Sequence, residues 1–248
     1  MSEVTESIRI TEKVFRAYFH CARKSYLLKF SRDLSKPTEY EIMLEQRKVR
    51  IRADYLARCP PVTINTSPLS CQKVPMALDD SGKIHLTAGL LATESAIFQV
   101  AQGTSSSKDA LYEPLIFTTS HTVRQEDKLE ITFSGYVLSK TQGAPPLKGK
   151  VVQLNAAETN VRLLDSTTHI LPIISILEEW VHSRQEPPTT ILNKHCPSCE
   201  FQHVCRPIAE KEDSISQLAR IGEKGLRRYE KKGIFTIRNL AHLTGIAI

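Results

Sequence analysis

The sequence contains no apolar run of membrane-spanning length, no internal repeat and no extended low-complexity tract. A transmembrane bundle, a solenoid and a linker-dominated chain are therefore set aside. Cysteine is scarce, with six in 248 residues, which is too few for a disulfide scaffold. The N-terminal stretch MSEVTESIRI lacks the apolar segment of a secretory leader. The expectation is a reduced, cytoplasmic protein with no membrane partner. Aromatic residues make up only 6% of the chain and there is a single tryptophan, Trp180, which is expected in the core.

What is present is more specific. Hydrophobic residues account for 41%, enough to bury one sizeable domain with an appendage. Within the run ILNKHCPSCEFQHVC, Cys196, Cys199 and Cys205 form a C-x2-C-x5-C cluster, and a fourth candidate, Cys21, lies far upstream in YFHCARKSYL. Three thiolates in one loop and one near the other end of the chain suit a four-coordinate metal or iron–sulphur site that staples distant segments. The ferredoxin run C-x2-C-x2-C is absent, and spacing leaves zinc and a cubane equally open. Cys59 and Cys71 read as small buried hydrophobes. His195 and His203, which flank the cluster, read as outer-sphere or surface residues.

The net charge of +6 is concentrated at two places. Residues 13–56 carry eleven Lys and Arg against five acids, and residues 214–248 carry seven against two. Brought together, two basic segments would form a patch suited to a polyanion.

Hydrophobic spacing predicts a helix over 11–31 with Thr11 as N-cap, and a second over about 39–58 ended by Cys59-Pro60-Pro61. Residues 60–82 read as loop or edge strand, KIHLTAGLL and SAIFQVA as a β region, and 102–109 as a turn. LYEPLIFTT is a short apolar strand. DKLEITFSGYVLSKTQG has the length of a helix closed by Gly143, although its Thr, Phe and Val content also permits a strand. GKVVQL and NVRLL are strands, and a helix within about 168–184 leads through Pro187-Pro188 to the cysteine loop. Beyond it, short helices punctuated by Gly222 and Gly233 suit a helical hairpin.

Three segments give the chain a family likeness: ITEKVFRAYFHCARKSYLLK, then LYEPLIF with DKLEITFSGYVLSKTQGAPPLKGKVV, and LNKHCPSCEFQHVCRPIAEKEDSISQL with KKGIFTIRNLAHL. Together they cover about half of the chain, and it resembles the RecB-like nucleases of the PD-(D/E)XK fold, in their iron–sulphur branch, which is often fused to a helicase. The resemblance implies an α/β fold: a mixed nuclease-type sheet with flanking helices, closed by an iron–sulphur cluster, plus a C-terminal helical hairpin lobe. The corresponding divisions are a nuclease-fold core over 1–190, a cysteine cluster loop over 191–213 acting with Cys21, and the hairpin lobe over 214–248. It also implies a [4Fe-4S] cluster on Cys21, Cys196, Cys199 and Cys205, with zinc the alternative. DNA is the implied partner, with a helicase in cis or in trans.

The catalytic set departs from the family. Hydrolysis on this fold needs a carboxylate on one strand and an (Asp/Glu)-x-Lys on the next to hold Mg²⁺ and orient water. Where the second motif belongs, Ile116 replaces the acid and Thr118 the lysine. Glu94 is the candidate for the first, although Ala92 aligns equally well, and helix 39–58 lacks the histidine of many relatives. Glu126-Asp127-Lys128 spells an E-x-K, with Asp79 and Asp80 upstream, but its place at a helix start predicts a solvated charge cluster. Glu113, before the strand, is a similar candidate. In the hairpin, Gly222, Lys224, Gly225, Arg227, Arg228, Lys231 and Lys232 are placed to bind nucleic acid, with N–H groups at a helix start free to meet phosphate.

The expectation is a DNA-binding module with a degenerate catalytic set. Mg²⁺ enters only if it is instead an active metal-dependent exonuclease. A zinc-stapled protein-interaction domain is the third possibility.

Overall fold

The computed structural model describes residues 9–58, 86–93, 96–99, 112–183, 185–218, 221 and 223–245. The readings of 60–82 and of the turn at 102–109 lie outside these residues, as do Cys59, Cys71, Asp79, Asp80, Glu94 and Gly222. The chain divides into two compact units, one of Met1–Cys21 with Leu44–Glu186 and one of Ala22–Met43 with Pro187–Ile248. No helix among the described residues is long and apolar enough to cross a membrane.

The first unit is built on a four-stranded mixed sheet. Its strands are β3 (Ala96–Gln99), β4 (Tyr112–Phe117), β5 (Lys148–Val152) and β6 (Glu158–Arg162), in that spatial order. Only the β4–β5 pair is parallel, with Ile116 opposite Val151, and a parallel pair requires a crossover between its strands. The crossover is helix α4 (Gln125–Gln142), where the sequence permitted helix or strand. Two local signals decide for helix. The Asp127 carboxylate accepts the Arg124 N–H at 2.9 Å at the start, and Gly143, in the left-handed conformation at φ 75°, ends it. A separate hairpin pairs β1 (Leu86–Ala88) with β2 (Leu91–Thr93), and Ile10 bridges to Leu91 beside it.

Apolar side chains cover both faces of β4. Leu115 and Phe117 cluster with Val152 and with Ile51 and Tyr55 of α3 (Glu39–Leu56), whereas Ile116 clusters with Ile131 of α4, Val151, Val161 and Leu163. The alternation is what a strand buried on both faces requires. Gly149 lets α4 approach β5 closely, because a Cβ there would stand 2.6 Å from Ile131 Cδ1. Helix α5 (Leu164–Ser183) is longer than the sequence suggested and buries Ile170, Ile174, Leu177 and Trp180. Trp180 is a core residue, with Tyr18 at 5.8 Å between ring centroids.

The expected single helix over 11–31 is two: α1 (Glu12–His20) and α2 (Ala22–Phe30). Thr11 caps the first as expected, its hydroxyl accepting from the Val14 N–H. Between the helices Cys21 is extended at φ −168°, while its N–H still bonds Ala17 O at 2.9 Å. The buried set changes from Val14, Phe15 and Ala17 on α1 to Ser25, Leu27 and Leu28 on α2.

The second unit gathers α2, the start of α3 and the C-terminal segment. Its further helices are α6 (Gln202–Lys211), α7 (Glu223–Glu230) and α8 (Ile237–Thr244). Arg23 donates to Pro188 O at 2.6 Å, the Lys36 N–H to Glu200 O at 2.9 Å, and the Leu192 N–H to Ser216 Oγ at 3.0 Å.

Candidate metal centre and nucleic-acid interface

A tight 3₁₀ turn, Cys196–Ser198, presents the first two cysteines of the cluster, with the Cys199 N–H bonded to Cys196 O at 3.1 Å. Cys205 lies one turn into α6 and is partly buried. Both turn sulphurs receive backbone hydrogen bonds. The Asn193 N–H donates to Cys196 Sγ at 3.2 Å, and the Phe201 N–H donates to the Cys199 sulphur. Burial pushes the Cys199 thiol up to about 11, while the Phe201 N–H and the Lys24 ammonium pull it down. A neutral thiol therefore prevails at physiological pH without a bound cation, and metal binding would release its proton.

The surroundings of Cys199 hold charges that the cysteine spacing does not reveal. Glu200, next in sequence, is buried at 3% exposure. It forms an ion pair with Lys24 at 3.3 Å and accepts a hydrogen bond from the Ser35 hydroxyl. Lys24 also bonds Glu41 at 2.8 Å, and Glu41 accepts from the Thr38 N–H at 3.2 Å. Burial opposes the charge on Lys24, but Glu41, Cys199 and Glu200 outweigh it and hold its ammonium above the ordinary amine range. The cysteine turn is thus fastened to residues 24–41 by polar contacts made entirely within the second unit. One signal was available in the sequence: a carboxylate directly after Cys199 must be paired if the turn is buried.

Soft sulphur donors that receive backbone N–H bonds have the chemistry of thiolate ligands to zinc or to an iron–sulphur cluster. The turn bearing Cys196 and Cys199 fits such a group. Cys21 belongs to the first unit and the other three cysteines to the second. Among the described residues, no group of three or more His, Cys, Asp or Glu side chains is gathered as a metal site. His195 and His203 lie in the turn and on α6, His195 donating its N–H to Asn193 Oδ1 at 2.9 Å.

Of the residues weighed for catalysis, Glu94 lies outside the described residues. Ile116 is buried against Ile131 in the apolar core, and Thr118, also buried, bonds the Asp127 carboxyl. Glu113 is half-buried on β4. Burial raises its carboxyl above the usual range, against the opposing pull of Lys148 and Lys150. The Glu126-Asp127-Lys128 run corrects the expectation of a solvated cluster. Glu126 is partly buried, 3.6 Å from His20, and Lys128 is exposed, but Asp127 is fully buried. Arg16 of α1 lies 3.5 Å from Asp127 and bonds Glu130, which also pairs with Lys48 at 3.3 Å. Burial raises the Asp127 carboxyl, whereas for Glu130 the charges of Lys48 and Arg16 overcome burial and hold it below the usual range. With two cations bound to these two acids, the arrangement is a buried ionic lock rather than a set of carboxylates open to a hard cation.

The C-terminal hairpin has its own apolar core of Ile215, Leu226 and Ile234, with Leu218, Ile221, Tyr229 and Leu240 packed on it. Lys224, Arg227, Arg228, Lys231 and Lys232 are all exposed, and Gly225 is half-buried beside Ile221. Gly233, at φ 73°, makes the left-handed turn between α7 and α8. The N–H groups at the start of α8 are all taken. Thr236 N donates to Asn239 Oδ1, Ile237 N to Asp213 O at 2.9 Å, Arg238 N to Asp213 Oδ2 at 3.1 Å, and Asn239 N to Thr236 Oγ1 at 3.0 Å. These are the four donors that a helix start leaves over, and all four have partners.

No protein-family model and no curated protein matches the chain.

Proposed function

We propose that the chain is a DNA-binding module of RecB-like nuclease type, with a degenerate catalytic set, that serves a helicase or repair assembly. The observation that carries this reading is the hairpin: five basic side chains, all exposed, on a small lobe with its own apolar core. A surface of this kind attracts phosphodiester backbones and releases counterions on binding. The mixed sheet with its crossover helix agrees with the architecture that the resemblance implies. Ile116 and Thr118, one in the apolar core and the other bonded to Asp127, favour loss of hydrolysis over an active exonuclease.

In this reading Cys21, Cys196, Cys199 and Cys205 hold a [4Fe-4S] cluster, which would act as a structural staple. The N–H bonds to the Cys196 and Cys199 sulphurs and the proximity of Lys24 to Cys199 favour thiolate ligation. The test combines iron and sulphide quantitation with salt titrations of DNA binding on one anaerobic preparation. Iron and sulphide with steeply salt-dependent binding are expected, and neutralising the hairpin bases should lower the log-log slope by about 0.7 to 0.9 per lost phosphate contact. Stoichiometric zinc without iron, together with no DNA binding at low salt, would leave the zinc-stapled interaction domain as the better reading.

A further inference from the structure

The side chain most open to solvent among the aromatics of the described residues is Phe235, 58% exposed at the tip of the hairpin. Its neighbour Ile234 is only 5% exposed, as part of the hairpin core. The backbone around Phe235 is held on both sides. Its carbonyl accepts the Ile215 N–H at 3.0 Å, and Ser214 bridges to Thr236. A large apolar ring is therefore kept in solvent by a fixed backbone. The preceding residues are the exposed Lys231 and Lys232 and the left-handed Gly233, whose missing Cβ faces open space. On the other side Arg238 is exposed as well.

The start of α8 offers phosphate nothing, since its four leftover donors are taken and two of them go to Asp213. Asp213 itself adopts a left-handed backbone at φ 51°. Its carboxylate stands where an anion would be received at this helix start. The recognition left to the tip is by side chains: charge from the lysines and an aromatic face from Phe235. Charge does not distinguish single from double strands, but an aromatic platform is open only to an unstacked base.

Resting on the DNA-binding reading above, we propose that the hairpin tip is a single-strand platform. Phe235 stacks on an unpaired base while Lys231 and Lys232 engage the adjoining phosphates.

The intact protein would be titrated at low salt with a labelled oligo(dT) and with a duplex of equal length. Phe235→Ala should weaken oligo(dT) binding by at least about five-fold and leave duplex binding unchanged, as loss of a stacked base predicts. The K231Q/K232Q double variant should weaken both. Phe235 contributes little to the core, so an unchanged melting temperature verifies that Phe235→Ala is folded. An independent readout comes from Phe235→Trp, because Trp180 is buried in the first unit and gives a constant background. Emission from the new indole should be quenched by oligo(dT) and not by duplex. Equal affinity for both DNA forms, with no effect of Phe235→Ala and no quenching, overturns the platform while leaving DNA binding intact. Failure to bind either form overturns the platform together with the reading on which it rests.

Discussion

Lys24 and Glu200 form an ion pair at 3.3 Å between segments far apart in sequence, one leading from Cys21 and the other lying between Cys199 and Cys205. Glu200 is almost fully buried, and Ser35 donates to its second oxygen. The pair therefore fastens the cysteine turn to α2 before any cofactor is considered. Such pre-positioning lowers the ordering cost that ligand binding would otherwise carry.

Lys24→Ala should accordingly destabilise the protein, because it removes the ammonium paired with the buried Glu200 carboxylate. A cost of about 1 to 3 kcal/mol follows from the loss of a charged hydrogen-bonded partner. Glu200→Gln should cost less, since the amide keeps the Ser35 contact. Urea unfolding of metal-free protein is the measurement. Equal stability of all three proteins would mean that the turn is not held by this pair.

The cluster proposal makes Cys21 equivalent to Cys199 despite their separation in the chain. Cys21→Ser and Cys199→Ser should each lower the iron and sulphide content and the melting temperature of the anaerobic protein by similar amounts, since metal binding is coupled to folding. If Cys21→Ser retains both quantities while Cys199→Ser loses them, the fourth ligand lies elsewhere.

These residues also mark how far the sequence could be read. The crossover helix α4 carried its own punctuation, an acid in the first turn and Gly143 at the end, and the cysteine turn its own spacing. Both signals are local. The break at Cys21 was not legible, because good helix formers flank it and only packing sets α1 apart from α2. Asp127 shows the same limit: an acid in the first turn of a helix looks alike whether solvated or buried, and its partner Arg16 lies more than a hundred residues away. The basic side chains of the hairpin were legible as a run of charge, and they are exposed. That α8 gives its donors to Asp213 was not, because no local pattern links Asp213 to Arg238.

The lock formed by Arg16, Lys48, Asp127 and Glu130 predicts a specific acid response. The Glu130 carboxyl is held below its ordinary value of 4.5, so the unfolded chain takes up its proton first as pH falls. Its contribution is complete above the ordinary value and is lost as pH drops through the folded one. Asp127, whose carboxyl is raised, acts in the opposite sense, and its ionisation costs stability near neutrality. Glu130→Gln should therefore be destabilised at neutral pH, and the gap from the parent protein should narrow in acid. Arg16→Ala should be worse than Lys48→Ala, costing up to about 3 kcal/mol, because it strips a cation from two buried acids. Urea midpoints across a pH series test both statements, and a pH-independent gap for Glu130→Gln would refute the lock.

Little or no Mg²⁺- or Mn²⁺-dependent cleavage of DNA is the remaining expectation. A hydrolytic site on this sheet would need carboxylates beside a free lysine and access for a hydrated cation. In the RecB-like reading the position of the acid is Ile116 of β4, packed on Ile131, and the position of the lysine is Thr118, just after β4 and bonded to Asp127. Asp127 and Glu130, the buried acids of α4, are already matched by Arg16 and Lys48. Restoring the motif by Ile116→Asp with Thr118→Lys should not restore activity either, since it would place two charges in a packed core and cost folding before chemistry. Single- and double-stranded substrates incubated with either metal at matched protein concentration provide the assay. Robust cleavage by the parent chain that disappears in Glu94→Ala, or in Glu113→Gln, would show that a displaced acidic set is at work and would return the protein to the active exonucleases.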